Sequence, residues 1–141
     1  MTSNIPSDLR YSKEDAHNYR ELIEDDLSPF YGAKFKDIFL YAAAYGFRNG
    51  MRQNLIKGQA NIPLSALSQQ EIWLLKSIAI ADSNSLDILN TPKQMYQIAE
   101  EYANGALNAI YLEVFGGKPK EPYRRMMDDV LSEFEMIEQA S

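Results

Sequence analysis

The sequence predicts an all-α fold, a compact single-domain bundle of about five helices, and three observations carry that expectation. Apolar residues recur at helical spacing along most of the chain. Residues that start and stop helices stand at the ends of those runs. The length, 141 residues, suits one domain with a real core. One short β-hairpin is allowed for near residues 52–64. The expected organisation is a flexible leader (1–11), a helical domain (12–117) and a C-terminal helix (118–141) packed on the core or used to dock a partner.

Ser12, with Asp15 three positions on, reads as the N-cap of the first helix, whose apolar residues are Ala16, Tyr19, Ile23 and Leu27. Ser28-Pro29 and Gly32 end it. The second helix begins near Lys34 and carries Phe35, Ile38, Phe39, Ala42 and Ala43 on one face. Asn49-Gly50 stops it, because glycine tolerates the left-handed conformation of a helix terminus. From Met51 to Leu67 the helical period is lost, and Gly58, Asn61 and Pro63 punctuate an extended or hairpin-like connection.

Ser68 and Glu71 then form a capping box, followed by a stripe of Leu75, Ile78 and Ala79 together with Ile72. Trp73, Leu74 and Ile80 lie off that stripe. A helix apolar nearly all round is expected to be central. Next, Thr91 caps, Pro92 takes the first helical position and Gln94 completes a second capping box. Met95, Ile98, Ala99, Tyr102, Ala106, Leu107, Ile110 and Val114 form one stripe, and Gly116-Gly117 stops the helix. Gly105 inside it costs up to about 1 kcal/mol relative to alanine, so a close helix–helix approach is expected there. The last helix, about Pro122 to Gln139, places Met126, Met127, Val130, Leu131, Phe134 and Ile137 on one side of an otherwise acidic segment.

Several function classes lack their residues. With no cysteine there is no disulfide, thiolate zinc site or thiol nucleophile. The single histidine, His17, has no second histidine to share a metal. The acidic pairs Glu24-Asp25-Asp26, Glu100-Glu101 and Asp128-Asp129 diverge around a helix and read as solvated faces. No phosphate-cradling glycine loop and no nucleophile elbow is present. The expectation is a non-enzymatic protein with no cofactor and no metal. Met1 to Pro6 is polar, and no apolar run nears the ~18 residues of a membrane span, so a cytoplasmic protein is expected.

Charge is unevenly distributed. The formal net charge is −6, with three basic and seven acidic residues in 1–30, whereas 31–60 hold five basic and one acidic. The basic segment contains "FLYAAAYGFRNGMRQNLIKG". At 100° per residue Lys34, Tyr41, Tyr45, Arg48 and Arg52 fall near one line, although Arg52 does so only if the helix passes Gly50. Tyrosine beside arginine can stack on bases and grip phosphates, so Lys34, Lys36, Tyr41, Tyr45, Arg48, Arg52 and Lys57 are the candidate nucleic-acid contacts. The competing explanation is that the tyrosines pack and the arginines complement a helix C-terminus or pair with acidic helices. The Met-rich stripe from Met126 to Ile137 is the candidate protein contact, for a partner or a second copy of the chain.

The segments "FKDIFLYAAAYGFRNGMR", "IPLSAL", "LLKSIAIAD" and "IAEEYANGAL" resemble the small helical proteins described as DNA phosphorothioation (dnd) system-associated protein 4, across about Tyr31 to Leu107. The resemblance implies a prokaryotic defence setting, beside systems that replace a DNA phosphate oxygen with sulfur or restrict unmarked DNA. It implies no active-site residue. Together these readings point to an accessory protein that docks to proteins of a modification or restriction complex and contacts the DNA backbone. The alternative is a stand-alone acidic helical module, a homodimer or adaptor, that does not touch nucleic acid.

Overall fold

A computed structural model describes residues 5–55 and 59–116. The fold is mostly α, with a small two-stranded sheet. Strand β1 (Asp8–Ser12) is followed by a 3-10 turn, helix α1 (Ala16–Glu24), helix α2 (Phe35–Arg48), strand β2 (Gln59–Pro63), a second 3-10 turn, helix α3 (Gln69–Ser83), a third 3-10 turn and helix α4 (Pro92–Phe115). The expected last helix falls outside the described residues.

Local signals placed the helix starts well in the middle of the chain. The Asp37 carboxylate accepts the Lys34 N–H at 2.9 Å at the head of α2. Ser68 and Glu71 make the expected reciprocal cap of α3, at 3.1 and 2.8 Å. Two other expected caps are corrected. Ser12 is the last residue of β1 and makes no side-chain cap, and a 3-10 turn intervenes before α1. Thr91 turns its hydroxyl back to the Ile88 carbonyl at 3.1 Å, so it does not cap α4, although Pro92 opens that helix as expected.

The expected hairpin near 52–64 is also corrected. One strand lies there, but its partner is β1, about fifty positions earlier: Leu9 faces Ile62 and Tyr11 faces Ala60 in an antiparallel register. Part of the expected leader is therefore strand. Leu9, Tyr11 and Ile62 are buried, whereas Arg10 and Asn61 on the other face are exposed, the alternation of a sheet with one wet side. Tyr11, Tyr19 and Phe35 meet with ring centroids 4.6 to 6.0 Å apart, joining β1, α1 and the start of α2.

The central helix is α4, not α3. Its expected stripe is buried throughout, and Tyr96, Ala103, Tyr111 and Phe115 are buried as well. Helix α2 crosses it at Gly46, where a Cβ would come within 2.3 Å of the Tyr102 carbonyl oxygen. This is the glycine that allows close helix packing. Gly105 has a different partner: the Met51 carbonyl occupies the space of its missing Cβ, and that carbonyl belongs to the extended segment after α2. That segment is tied to α4 by Gln53 N–H to the Glu101 carbonyl at 3.0 Å and by the Asn104 side chain to the Asn54 carbonyl at 3.0 Å.

Candidate functional site

Helix α2 keeps Tyr41, Tyr45 and Arg48 on one side, as the periodicity required. Tyr41 is half exposed; its ring meets Phe30 at 5.2 Å and Tyr45 at 6.0 Å. The Tyr45 hydroxyl reaches Glu113 at 3.5 Å, a long and weak hydrogen bond. These rings are partly committed to each other and to the surrounding protein.

The basic residues divide into two groups. Lys36 donates to both oxygens of Glu71, at 2.8 and 3.0 Å, and the pairing raises the ammonium pKa and lowers that of the carboxyl. Arg52 lies beyond the end of α2 and off the tyrosine line, because Gly50 at φ 65° turns the chain away. Its Nε donates to Glu101 at 2.6 Å and its Nη1 to Asp82 at 2.9 Å, while Tyr102 donates its hydroxyl to Asp82. Arg52 thus fastens the segment after α2 to both α3 and α4. Lys34 and Arg48, in contrast, are exposed and form no ion pair with a described residue. Lys57 and the Met126 to Ile137 stripe lie outside the described residues. His17 pairs with Glu21 one turn on, which also accepts the Tyr111 hydroxyl at 3.0 Å.

The acidic pair on α4 separates by function of neighbour. Glu100 turns to β1 and accepts the Arg10 N–H at 2.7 Å; Glu101 turns to Arg52 and to the Gln97 amide at 3.0 Å. Burial raises the Glu100 pKa to about 7, against the lowering effect of that N–H. Among the described residues no group of three or more His, Asp or Glu is placed to hold a metal ion.

A surface that sequence reasoning missed lies on α3. Trp73 is 47% and Leu74 38% exposed, and Gln70, Ser77 and Ala81 are exposed on the same side. Two of the charged residues of this helix are engaged elsewhere, Glu71 with Lys36 and Asp82 with Arg52 and Tyr102, whereas Lys76 holds its ammonium over the Trp73 ring at 4.6 Å, on this face. An aromatic-bearing face results, with one cation, Lys76, and no acidic side chain of α3, on an acidic protein. The signal was present, since Trp73 and Leu74 stood off the buried stripe, but an apolar helix circumference reads equally as burial.

A family model described as DNA sulphur modification system-associated protein 4 matches residues 8–137. The chain belongs to that family. The match extends the resemblance seen over Tyr31 to Leu107 to nearly the whole chain, including β1 and most of the segment after Gly117. No curated protein and no solved structure gives a significant match. Family membership associates the protein with a DNA sulphur modification system. No helix among the described residues is long and apolar enough to cross a membrane.

Proposed function

We propose that this member of the family is a non-enzymatic cytoplasmic accessory protein of a DNA phosphorothioation modification and restriction system, and that it acts by docking to the system's other proteins. The observation that carries this reading is the α3 face. Trp73 and Leu74 stand outward beside a single cation, Lys76, and exposed aromatic side chains are enriched at interface centres. Apart from the Lys76 ammonium, which the Trp73 ring already faces, such a face loses little on desolvation when a partner covers it.

DNA contact has a narrower basis than the sequence suggested. Of the candidate cations in the described residues, Lys36 and Arg52 already hold carboxylates, leaving Lys34 and Arg48 to meet phosphates. Two phosphate contacts on a protein of net charge −6 support only weak, salt-sensitive binding. DNA is accordingly an auxiliary contact, and protein docking is the principal one. The Met126 to Ile137 stripe is a second docking element on this reading.

Co-expression of the full chain, tagged, with the protein components of its modification system tests the proposal. Stoichiometric co-purification of at least one component is expected at physiological salt. Recovery of the chain alone, as monomer or homodimer, would support the stand-alone module instead.

A further inference from the structure

A cavity of about 260 Å³ lies between β1, the segment after α2 and the first turns of α4. It is just under the roughly 300 Å³ at which sites for drug-sized ligands begin, and so has room for one ring system. Asp8, Arg10, Lys93, Tyr96, Gln97 and Glu100 are among its walls. Glu100 is the unusual member. It is only 8% exposed, its Oε2 accepts the Arg10 N–H at 2.7 Å, and no described residue donates to its Oε1. Its open oxygen is available on the polar cavity to a donor, from water or from a ligand.

Arg10 and Lys93 are exposed and form no ion pair with a described residue, unlike Lys36 and Arg52. The cavity therefore combines a recessed acceptor, two cations at its rim and the neutral amide of Gln97. A ligand that satisfies all of them carries donors on a flat head and an anion on its tail.

We propose that this cavity binds a guanine nucleotide unit, with the base edge on Glu100 and the 5′-phosphate on Arg10 and Lys93. Guanine is the base whose pairing edge presents two adjacent donors, N1–H and N2–H, which match a carboxylate as a guanidinium does. Adenine and cytosine offer one exocyclic amine beside an acceptor, and thymine offers one donor between two acceptors. Gln97, whose amide already gives one hydrogen to Glu101, can give the other to the guanine O6, and Asp8 can accept a remaining amine hydrogen. The unit has two sources, a free nucleotide or an unpaired residue of single-stranded DNA. This inference does not rest on the docking reading, and either can fail alone.

Titration calorimetry of the full chain at pH 8, where the Glu100 carboxyl is ionised, with dGMP, inorganic phosphate and a short single-stranded oligonucleotide containing one guanine tests it. Saturable binding of dGMP, at least tenfold tighter than phosphate, is expected; tighter binding of the oligonucleotide identifies nucleic acid as the source, and equal or weaker binding identifies the free nucleotide. Glu100→Gln keeps an oxygen for the Arg10 N–H and loses the paired acceptor, so dGMP affinity falls at least tenfold. Lys93→Ala, at an exposed site, weakens dGMP at least threefold and leaves deoxyguanosine unchanged. The inference is overturned if neither guanine ligand saturates at millimolar concentration, if phosphate binds as well as dGMP, or if both variants bind like the native chain.

Discussion

Arg52 and Glu101 form the tightest inter-element ion pair in the described fold: Nε donates to Oε1 at 2.6 Å, and Glu101 is almost wholly buried. The same guanidinium reaches Asp82 at 2.9 Å, so one side chain closes the segment after α2 onto two helices. A residue that looked like a phosphate contact is thereby a fastening within the protein. Arg52→Ala leaves Glu101 buried without its cation, and hydrogen bonds to charged groups are worth ~1.5–3 kcal/mol. Urea denaturation is expected to show a loss of about 2 kcal/mol, while any DNA affinity stays within twofold of native. Undiminished stability with lost DNA binding would return Arg52 to the surface role.

Gly105 tests the packing of that segment. A Cβ there would lie 1.4 Å from the Met51 carbonyl oxygen, and backbone on both sides leaves little to give way. Alanine ordinarily stabilises a helix over glycine by up to about 1 kcal/mol. Here the clash dominates, and Gly105→Ala is expected to cost about 3 kcal/mol or more in thermal or urea unfolding. A neutral or stabilising result would mean that Met51 does not sit against α4.

One buried and one partly buried carboxyl set a pH dependence. Burial raises Glu100 from 4.5 to about 7 and Asp15 from 3.8 to about 6, with Glu14 adding to the latter. Both native pKa values exceed the unfolded ones, so between the two values the native state holds protons that the unfolded chain has released. Stability is then full below the unfolded pKa and is lost as pH rises through the native one. Denaturation midpoints are expected to fall from pH 5 to pH 7.5, and Glu100→Gln is expected to flatten most of that slope. A midpoint that rises over this range would contradict the assignment.

Salt dependence separates the cations. If Lys34 and Arg48 each neutralise one phosphate of duplex DNA, Lys34→Ala with Arg48→Ala reduces the slope of log affinity against log salt by about 2. Lys36→Ala leaves the slope unchanged, because Lys36 is held by Glu71. Equal effects from both variants would place the contact elsewhere.

The parts of the fold legible in the sequence are those decided within a few residues. The Ser68–Glu71 cap, Pro92 at the start of α4, the Asn49-Gly50 end of α2 and the buried stripe of α4 depend on spacings of one helical turn or its multiples. What was not legible depends on distant partners. Gln59–Pro63 could be seen as extended, but only Asp8–Ser12 completes it. Gly105 signalled a close approach without revealing that a carbonyl makes it. The basic segment had the right composition for phosphate, yet Glu71, Asp82 and Glu101, up to about fifty positions away, take two of its cations. Trp73 and Leu74 stand off the buried stripe, and the apolar circumference they complete predicts a central helix, because hydrophobicity alone does not distinguish a core from an interface.

The α3 face is the proposed docking surface. Its most direct test is the affinity of the full chain for a co-purifying component of the DNA modification system, compared with that of a Trp73→Ala, Leu74→Ala variant whose circular dichroism and unfolding midpoint match the native chain. Both side chains are outward, so the fold tolerates their removal. Loss of an aromatic anchor and its neighbour costs ≥2 kcal/mol at an interface centre, which is roughly thirtyfold in affinity or more. A thirtyfold weakening is the predicted result. An affinity equal to that of the native chain would contradict the claim that this face docks the protein to its system.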